Sequence, residues 1–191
     1  NRSVSFSSAS EKVNTYLAYS HAGTDGYRDH SELRRDVLNY RTSLFLTDKY
    51  TINFIGSYAD LNYQTPGGLN IDQKENNPRD ARLATRFTAS SQEQKAAIHQ
   101  KVLSIGVSQE VKYNDRVSSV LSFFGNGSNL KNPFITNYEF RDQKSFGARN
   151  KNIFNFGGEK VKSKAVVGFE YQQTNSVFDV YDNNAGERGN N

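Results

Sequence analysis

Two clusters of cationic side chains have the composition to grip an anion. Arg28, His30, Arg34 and Arg35 gather near the start of the chain, and Arg79, Arg82 and Arg86 punctuate a long polar stretch further on. Guanidinium forks hold carboxylates and catecholate oxygens bidentately. Arg28, His30, Arg34, Arg79, Arg82 and Arg86 are therefore the candidate ligand-binding residues. Asp25, Asp29, Glu32 and Asp36 neutralise much of the first cluster, and solvated loop charges or contacts to lipopolysaccharide phosphates would produce the same pattern. Between the clusters, Pro66-Gly67-Gly68 reads as a turn that needs positive φ, or as a place where backbone approaches a ligand.

Other chemistries find little support. His21, His30 and His99 share no metal-ligand spacing, and Asp179, Asp182, Asn183 and Asn184 offer oxygen atoms without the spacing of a calcium loop. No metal site and no cofactor are expected. The chain has no Cys, which removes thiolate metal sites, disulfides and a Cys nucleophile. Neither a Gly-x-Ser-x-Gly elbow, a His-Glu-x-x-His helix nor a phosphate-binding glycine loop is present, so no enzymatic activity is expected.

The elements that must carry these residues are unusual in composition. Lys and Arg number 24 against 20 Asp and Glu, a net charge of +4 too small and scattered for a nucleic-acid partner. Hydrophobic residues reach only 35%, while Phe and Tyr supply all of the 13% aromatics. No apolar run approaches the roughly 18 residues of a membrane helix, so a membrane is open to this chain only as a β-barrel. Without Met even at position 1, and without a leader-like amino end, the chain reads as a processed or excised piece.

Period-2 alternation dominates. In Lys101 to Tyr113, Leu103, Ile105, Val107, Val111 and Tyr113 fall on one side, with Gln109 the exception, and Ser104, Gly106, Ser108, Glu110 and Lys112 on the other. Leu121 and Phe123, Val167 and Phe169, and Leu38 and Tyr40 repeat the pattern. Each segment reads as a strand with one apolar and one wet face. Further strands are expected at Val13 to Ser20, Thr51 to Tyr63, Phe146 to Phe156 and Val4 to Ala9, making eight, the first short and the others about 9 to 13 residues.

Connections alternate in length. Short ones lie near Ser10 to Lys12, Thr47 to Tyr50, Asn114 to Arg116 and Gly158 to Ser163. Long ones run from His21 to Leu33, Gln64 to Ile98 and Asn126 to Lys144, and a fourth opens near Asn175. That rhythm is the signature of an outer-membrane barrel with tight periplasmic turns and long extracellular loops. One apolar stripe per strand then suffices, because the other face meets a hydrated lumen. Leu103, Ile105, Val107, Leu121, Phe123, Val167 and Phe169 are the expected lipid-facing residues. Tyr50 and Tyr113 beside short turns, and Tyr19, Tyr63 and Tyr171 nearer the long loops, read as interfacial girdles.

Three details complete the reading. Phe146 to Phe156 carries Asn150 and Asn152 on its aromatic side and Arg149 and Lys151 on the other, which calls for a bulge or for a strand end above the bilayer. Ser91-x-x-Gln94 resembles a capping box opening a helical turn in the second loop. The lumen-facing set is rich in Ser, Gly, Asn and Gln, too small to fill an eight-stranded barrel, and points to a wider one.

Tyr16 to Ser20, Gly26-Tyr27-Arg28-Asp29-His30-Ser31, Arg34-Arg35-Asp36 and Thr65-Pro66-Gly67-Gly68-Leu69 together resemble the early barrel strands of TonB-dependent outer-membrane receptors, particularly those for ferric citrate and other ferric siderophores. The resemblance is good over residues 13 to 72 and looser beyond. It implies an all-β, antiparallel transmembrane barrel of about 22 strands, of which residues 1–191 form about eight. A plug domain and the remaining strands would lie outside this sequence. It further implies a Gram-negative outer-membrane location, a ferric chelate as transported ligand, and the TonB complex as a partner reached through the plug. A soluble secreted β-module of carbohydrate-binding type and a passive porin are the competing readings.

Overall fold

A computed structural model describes residues 1–158 and 161–190. Glu159 and Lys160, in the expected turn Gly158 to Ser163, and Asn191, in the expected fourth loop, lie outside the described residues. The order of elements is β1 (Arg2–Ala9), β2 (Val13–Thr24), β3 (Leu33–Thr47), β4 (Tyr50–Gln64), α1 (Ile71–Asn76), β5 (Ala97–Lys112), β6 (Val117–Pro133), β7 (Asn137–Gly157), β8 (Lys162–Asn184) and β9 (Glu187–Arg188). All nine strands form one sheet in sequence order, each antiparallel to the next. Among the described residues β1 pairs only with β2, so the wall does not close on itself. This is the architecture of a partial β-barrel.

Directly opposed residues of an antiparallel pair share a face, so the register can be followed from strand to strand. Leu38 opposes Tyr58, which opposes Leu103; Phe54 opposes Val107, which opposes Phe123; Leu121 opposes Asn150, which opposes Phe169; Asn152 opposes Val167. Leu103, Ile105, Val107, Leu121, Phe123, Val167 and Phe169 thus lie on one continuous face. It is uncovered: Ile105 is 57% exposed and Phe169 is 72% exposed. The opposite face carries paired small polar side chains, with Ser43 donating to Asn53 (2.6 Å) and Ser57 to Asn39 (2.9 Å).

The structure corrects four expectations. The strands from β3 to β8 are longer than 13 residues, reaching 21 in β7 and 23 in β8. Two of the expected long loops are therefore paired hairpin. Asn126 to Lys144 is mostly β6 and β7 joined through Phe134–Thr136, and the stretch after Asn175 continues β8 to a tight turn at Ala185 and Gly186, both at positive φ as a two-residue hairpin requires. Alternation fades there because apolar and polar residues are mixed on both faces of the extension of β8, with Val177 and Tyr181 beside Asp179 on one face and Phe178 and Val180 beside Asp182 on the other, while the extension of β6 is mostly polar.

The third correction concerns Phe146 to Phe156. The β7–β8 register runs unbroken from Asn137 to Gly157, with no bulge. Asn150 and Asn152 sit near the short-turn end, where Asn150 donates to Ser119 (3.3 Å) and Asn152 to Asn150 (2.6 Å). Mutual hydrogen bonding removes the need to change phase. Finally, Tyr63 opposes Leu33 and Ile98 on the polar face, whereas Tyr19, Tyr50 and Tyr171 are on the apolar face.

Candidate functional site

The connections at one end of the sheet, Asp25–Glu32 between β2 and β3 and Thr65–Ala96 between β4 and β5, pack into a single crown. Its centre is the backbone of Pro66 and Gly67. The Pro66 carbonyl accepts from the Arg82 N–H (2.7 Å) and the Ser91 hydroxyl (2.9 Å). The Gly67 carbonyl accepts from Arg28 Nη1 (2.7 Å), whose Nε and Nη2 both reach the Asp80 carbonyl (3.0 and 2.8 Å). Arg28 is a strut that ties the first loop to the second through backbone oxygens.

Gly67 is required twice over. Its φ is +74°, and a Cβ there would meet Ser91 Oγ at 2.8 Å and Arg82 Cβ at 2.9 Å. Gly68 has neither constraint, since a Cβ would meet nothing within 4 Å. The turn reading of Pro66-Gly67-Gly68 therefore has its physical cause at Gly67.

The remaining candidate cations divide by what they touch. His30 Nε2 donates to the Ala96 carbonyl (2.7 Å), and Arg82 donates to the Ala89 carbonyl (3.0 Å) and Thr88 Oγ1 (2.6 Å). Both, like Arg28, spend their donors inside the crown. Arg34 opposes Gly23 on the apolar face and bonds Asp36 (3.1 Å), which also accepts from Tyr19 (2.5 Å) and lies 2.8 Å from His21 Nδ1. Arg79 lies over the Tyr27 ring at 4.9 Å and Arg86 over the Phe87 ring at 5.7 Å; both are exposed, and neither guanidinium has a hydrogen-bond acceptor or carboxylate partner among the described residues. Of the six candidates, these two are placed to meet a ligand from solvent.

Two short devices shape the second loop. The helix α1 is closed by a capping box of Asn70 and Gln73, an Asn-x-x-Gln variant that a search for Ser or Thr passes over. The turn expected from Ser91 and Gln94 is capped one residue earlier: Ser90 N–H donates to the Glu93 carboxylate (2.7 Å), and Glu93 N–H donates to Ser90 Oγ (3.1 Å). These bonds from Ser90 hold the Glu93 carboxyl below the usual carboxylate range. Ser91 is instead fully buried against Pro66, and Gln94 reaches the other hairpin. There Asn183 donates to the carbonyls of Gln94 (2.8 Å) and Phe134, while Ala185 N–H donates to Gln94 Oε1 (3.2 Å).

Residues with metal-binding chemistry do not converge. His21, His30 and His99 bond to Asp36, Ala96 and Asn62 respectively, at separate places. Asp179 and Asp182 project to opposite faces of β8. Among the described residues no group of three or more His, Cys, Asp or Glu is placed to hold a metal ion. The polar face carries cations outside the six candidates: Arg35, from the first cluster, and Arg41 project there from β3, and Arg149 pairs with Glu170 across β7 and β8.

An open antiparallel wall with tight turns at one end and a cation-bearing crown at the other is the architecture of part of a β-barrel. No protein-family profile matches the sequence, and no curated protein matches it. Among solved structures the chain is similar to the ferric citrate transporter FecA in its unliganded form, with a TM-score of 0.81 over 97% of this chain. Identity is 14%, and the match spans 27% of the transporter's chain. At that identity the likeness establishes the fold.

Proposed function

We propose that the chain forms part of the wall and the ligand-facing crown of an outer-membrane receptor that imports a ferric chelate, such as ferric citrate or another ferric siderophore. The observation that carries this reading is the pairing of an uncovered apolar sheet face with a packed Arg-bearing crown at one end only. An apolar stripe with no covering layer is stable when lipid covers it, and such a crown is where an anionic chelate would first be met. The likeness to a ferric citrate transporter supports the same choice. Leu103, Ile105, Val107, Leu121, Phe123, Val167 and Phe169 face lipid, and Arg79 and Arg86 contact the chelate. Energy for uptake comes through TonB, by way of a plug domain outside these residues. The role is transport and not catalysis.

A strain deleted for the full-length gene, grown on single iron sources, tests the reading. Loss of growth on one ferric chelate, restored by the gene, is the expected result. Arg79→Ala with Arg86→Ala should weaken chelate binding about a hundredfold or more, each lost charge-assisted bond counting for roughly 1.5–3 kcal/mol. Unchanged growth on every iron source overturns the iron assignment, and a protein that stays soluble without detergent overturns the barrel.

A further inference from the structure

Charge is distributed unevenly over the two faces of β1 to β4. The carboxylates within these strands are Asp36 and Asp60, which oppose each other on the apolar face near the crown. The polar face of the same four strands carries no carboxylate and two cations, Arg35 and Arg41, both from β3. Both are exposed, and neither guanidinium has a hydrogen-bond acceptor, carboxylate or aromatic partner among the described residues. On β7 the arginines of this face are spent, Arg141 on Glu139 and Arg149 on Glu170.

Distance and register isolate Arg41 further. It is six residues from Arg35 along the strand, roughly 20 Å at 3.4 Å per residue. The rows between them are neutral: Val37 opposes Ser20 and Ala59, and Asn39 opposes Ala18 and Ser57. Nearest in register among the polar-face carboxylates is Glu110, opposite Thr51, which is opposite Phe45. That places it two strands across and four residues along from Arg41, about 17 Å between Cα atoms. Lys112 stands two residues from Glu110 on the same face.

Arg41 lines a cavity of about 520 Å³ together with Ser7, Asn14, Tyr16 and Ser43, and no acidic residue is in its lining among the described residues. Tyr16 stands directly between Arg41 and Ser7 in the register. Ser43 spends its hydroxyl on Asn53, whereas the side-chain donors of Tyr16, Asn14 and Ser7 have no partner among the described residues. A guanidinium fork with phenol and amide donors beside it matches the several lone pairs of a carboxylate. With no negative charge close by, the local field favours an anion.

We propose that Arg41, with Tyr16 and Asn14, forms a second binding site for a carboxylate-bearing anion, set on the short-turn half of the polar face. The site rests on the reading that this face lines a passage for an anionic chelate. An anion leaving the crown meets Arg35 first, crosses the neutral rows with nothing charged to hold it, and is caught by Arg41. Arg is suited to the role because a planar fork meets two carboxylate oxygens, whereas a Lys ammonium is a point charge.

The test titrates citrate into the full-length protein in nonionic detergent micelles, followed by calorimetry. Two classes of site are expected, a tight one at the crown and a weaker one at Arg41. Arg79→Ala with Arg86→Ala should remove the first and leave the second. On that background Arg41→Gln should weaken the remaining binding about tenfold or more, and Tyr16→Phe about threefold. Arg41→Lys, which keeps the charge, should recover only part of the loss. Arg41 makes no bond within the described residues, so Arg41→Gln should leave the urea midpoint unchanged; a lowered midpoint with unchanged binding overturns the site in favour of a structural role. Binding on the crown variant that survives Arg41→Gln, or that sulfate displaces as well as citrate does, overturns it too. So does the loss of all binding with the two crown arginines, or citrate that never binds. Gene-dependent growth on a ferric chelate with no binding at Arg41 overturns the site alone. Binding through Arg41 in a protein whose gene can be deleted without loss of growth on any iron source sinks the iron reading and leaves the site standing.

Discussion

The sheet and the crown are held together by opposite means. In the sheet, large apolar side chains such as Phe6, Leu103 and Phe169 stand exposed, and what joins the strands is the backbone ladder. In the crown the buried side chains are small: Ala81, Ala96 and Ser91. Its order comes from arginine and serine side chains bonded to carbonyls far away in sequence. The sheet therefore depends on the medium against its apolar face, and the crown on an internal hydrogen-bond network. The two should fail independently.

The largest effect expected on the sheet comes from charging its apolar face. Leu103→Arg or Val107→Arg should destabilise by about 2–4 kcal/mol in a bilayer. Ser104→Arg, between Ser57 and Asn126 on the polar face, should be much milder. Urea titration of the protein folded in vesicles reads the difference. Equal costs at Ser104 and Leu103 would show that the two faces meet the same medium.

In the crown the corresponding residue is Arg28. Its removal orphans the Gly67 and Asp80 carbonyls and should cost about 2–3 kcal/mol of local stability. Hydrogen exchange should rise across Thr65–Ala96 and stay unchanged in β5 and β6. A coordinated rise in both would mean that crown and sheet unfold as one unit. A smaller contrast lies one residue apart: Gly67→Ala should cost about 1–3 kcal/mol for a side chain forced into positive φ, and Gly68→Ala should be nearly silent. Protease cleavage rates within the second loop separate them.

The two regions also differ in how far their sequence could be read. Period 2 places Leu103, Val107, Phe123 and Phe169 on one face because a strand has only two sides, and the register confirms it. The same signal disappears in β6 beyond Asn126, where the residues are mostly polar, and in β8 beyond Asn175, where Val177, Phe178, Val180 and Tyr181 are split between both faces among Asp and Asn, so that paired strands look like loops. In the crown, spacing marked every arginine alike. What separates Arg28 and Arg82 from Arg79 and Arg86 is whether a carbonyl 7 to 52 residues away stands within reach, and no local pattern carries that.

Ser90 and Ser91 show the limit at its narrowest, and the smallest prediction follows from them. Both serines have an acid or amide three positions on, Glu93 and Gln94, and both match a capping box. Ser91 is withdrawn by the Pro66 carbonyl, so only Ser90 and Glu93 close the turn. The Glu93 carboxyl is held below its ordinary value by those bonds. A depressed carboxyl contributes stability that is complete above its unfolded value, near 4.3, and is lost as pH falls through the lower folded value. Cleavage at the turn around Ser90 to Lys95 should thus rise below about pH 4, and Glu93→Gln should remove the pH dependence. A turn equally protected at pH 3 and pH 7 would mean that Gln94, through Asn183 and Ala185, holds it without the cap.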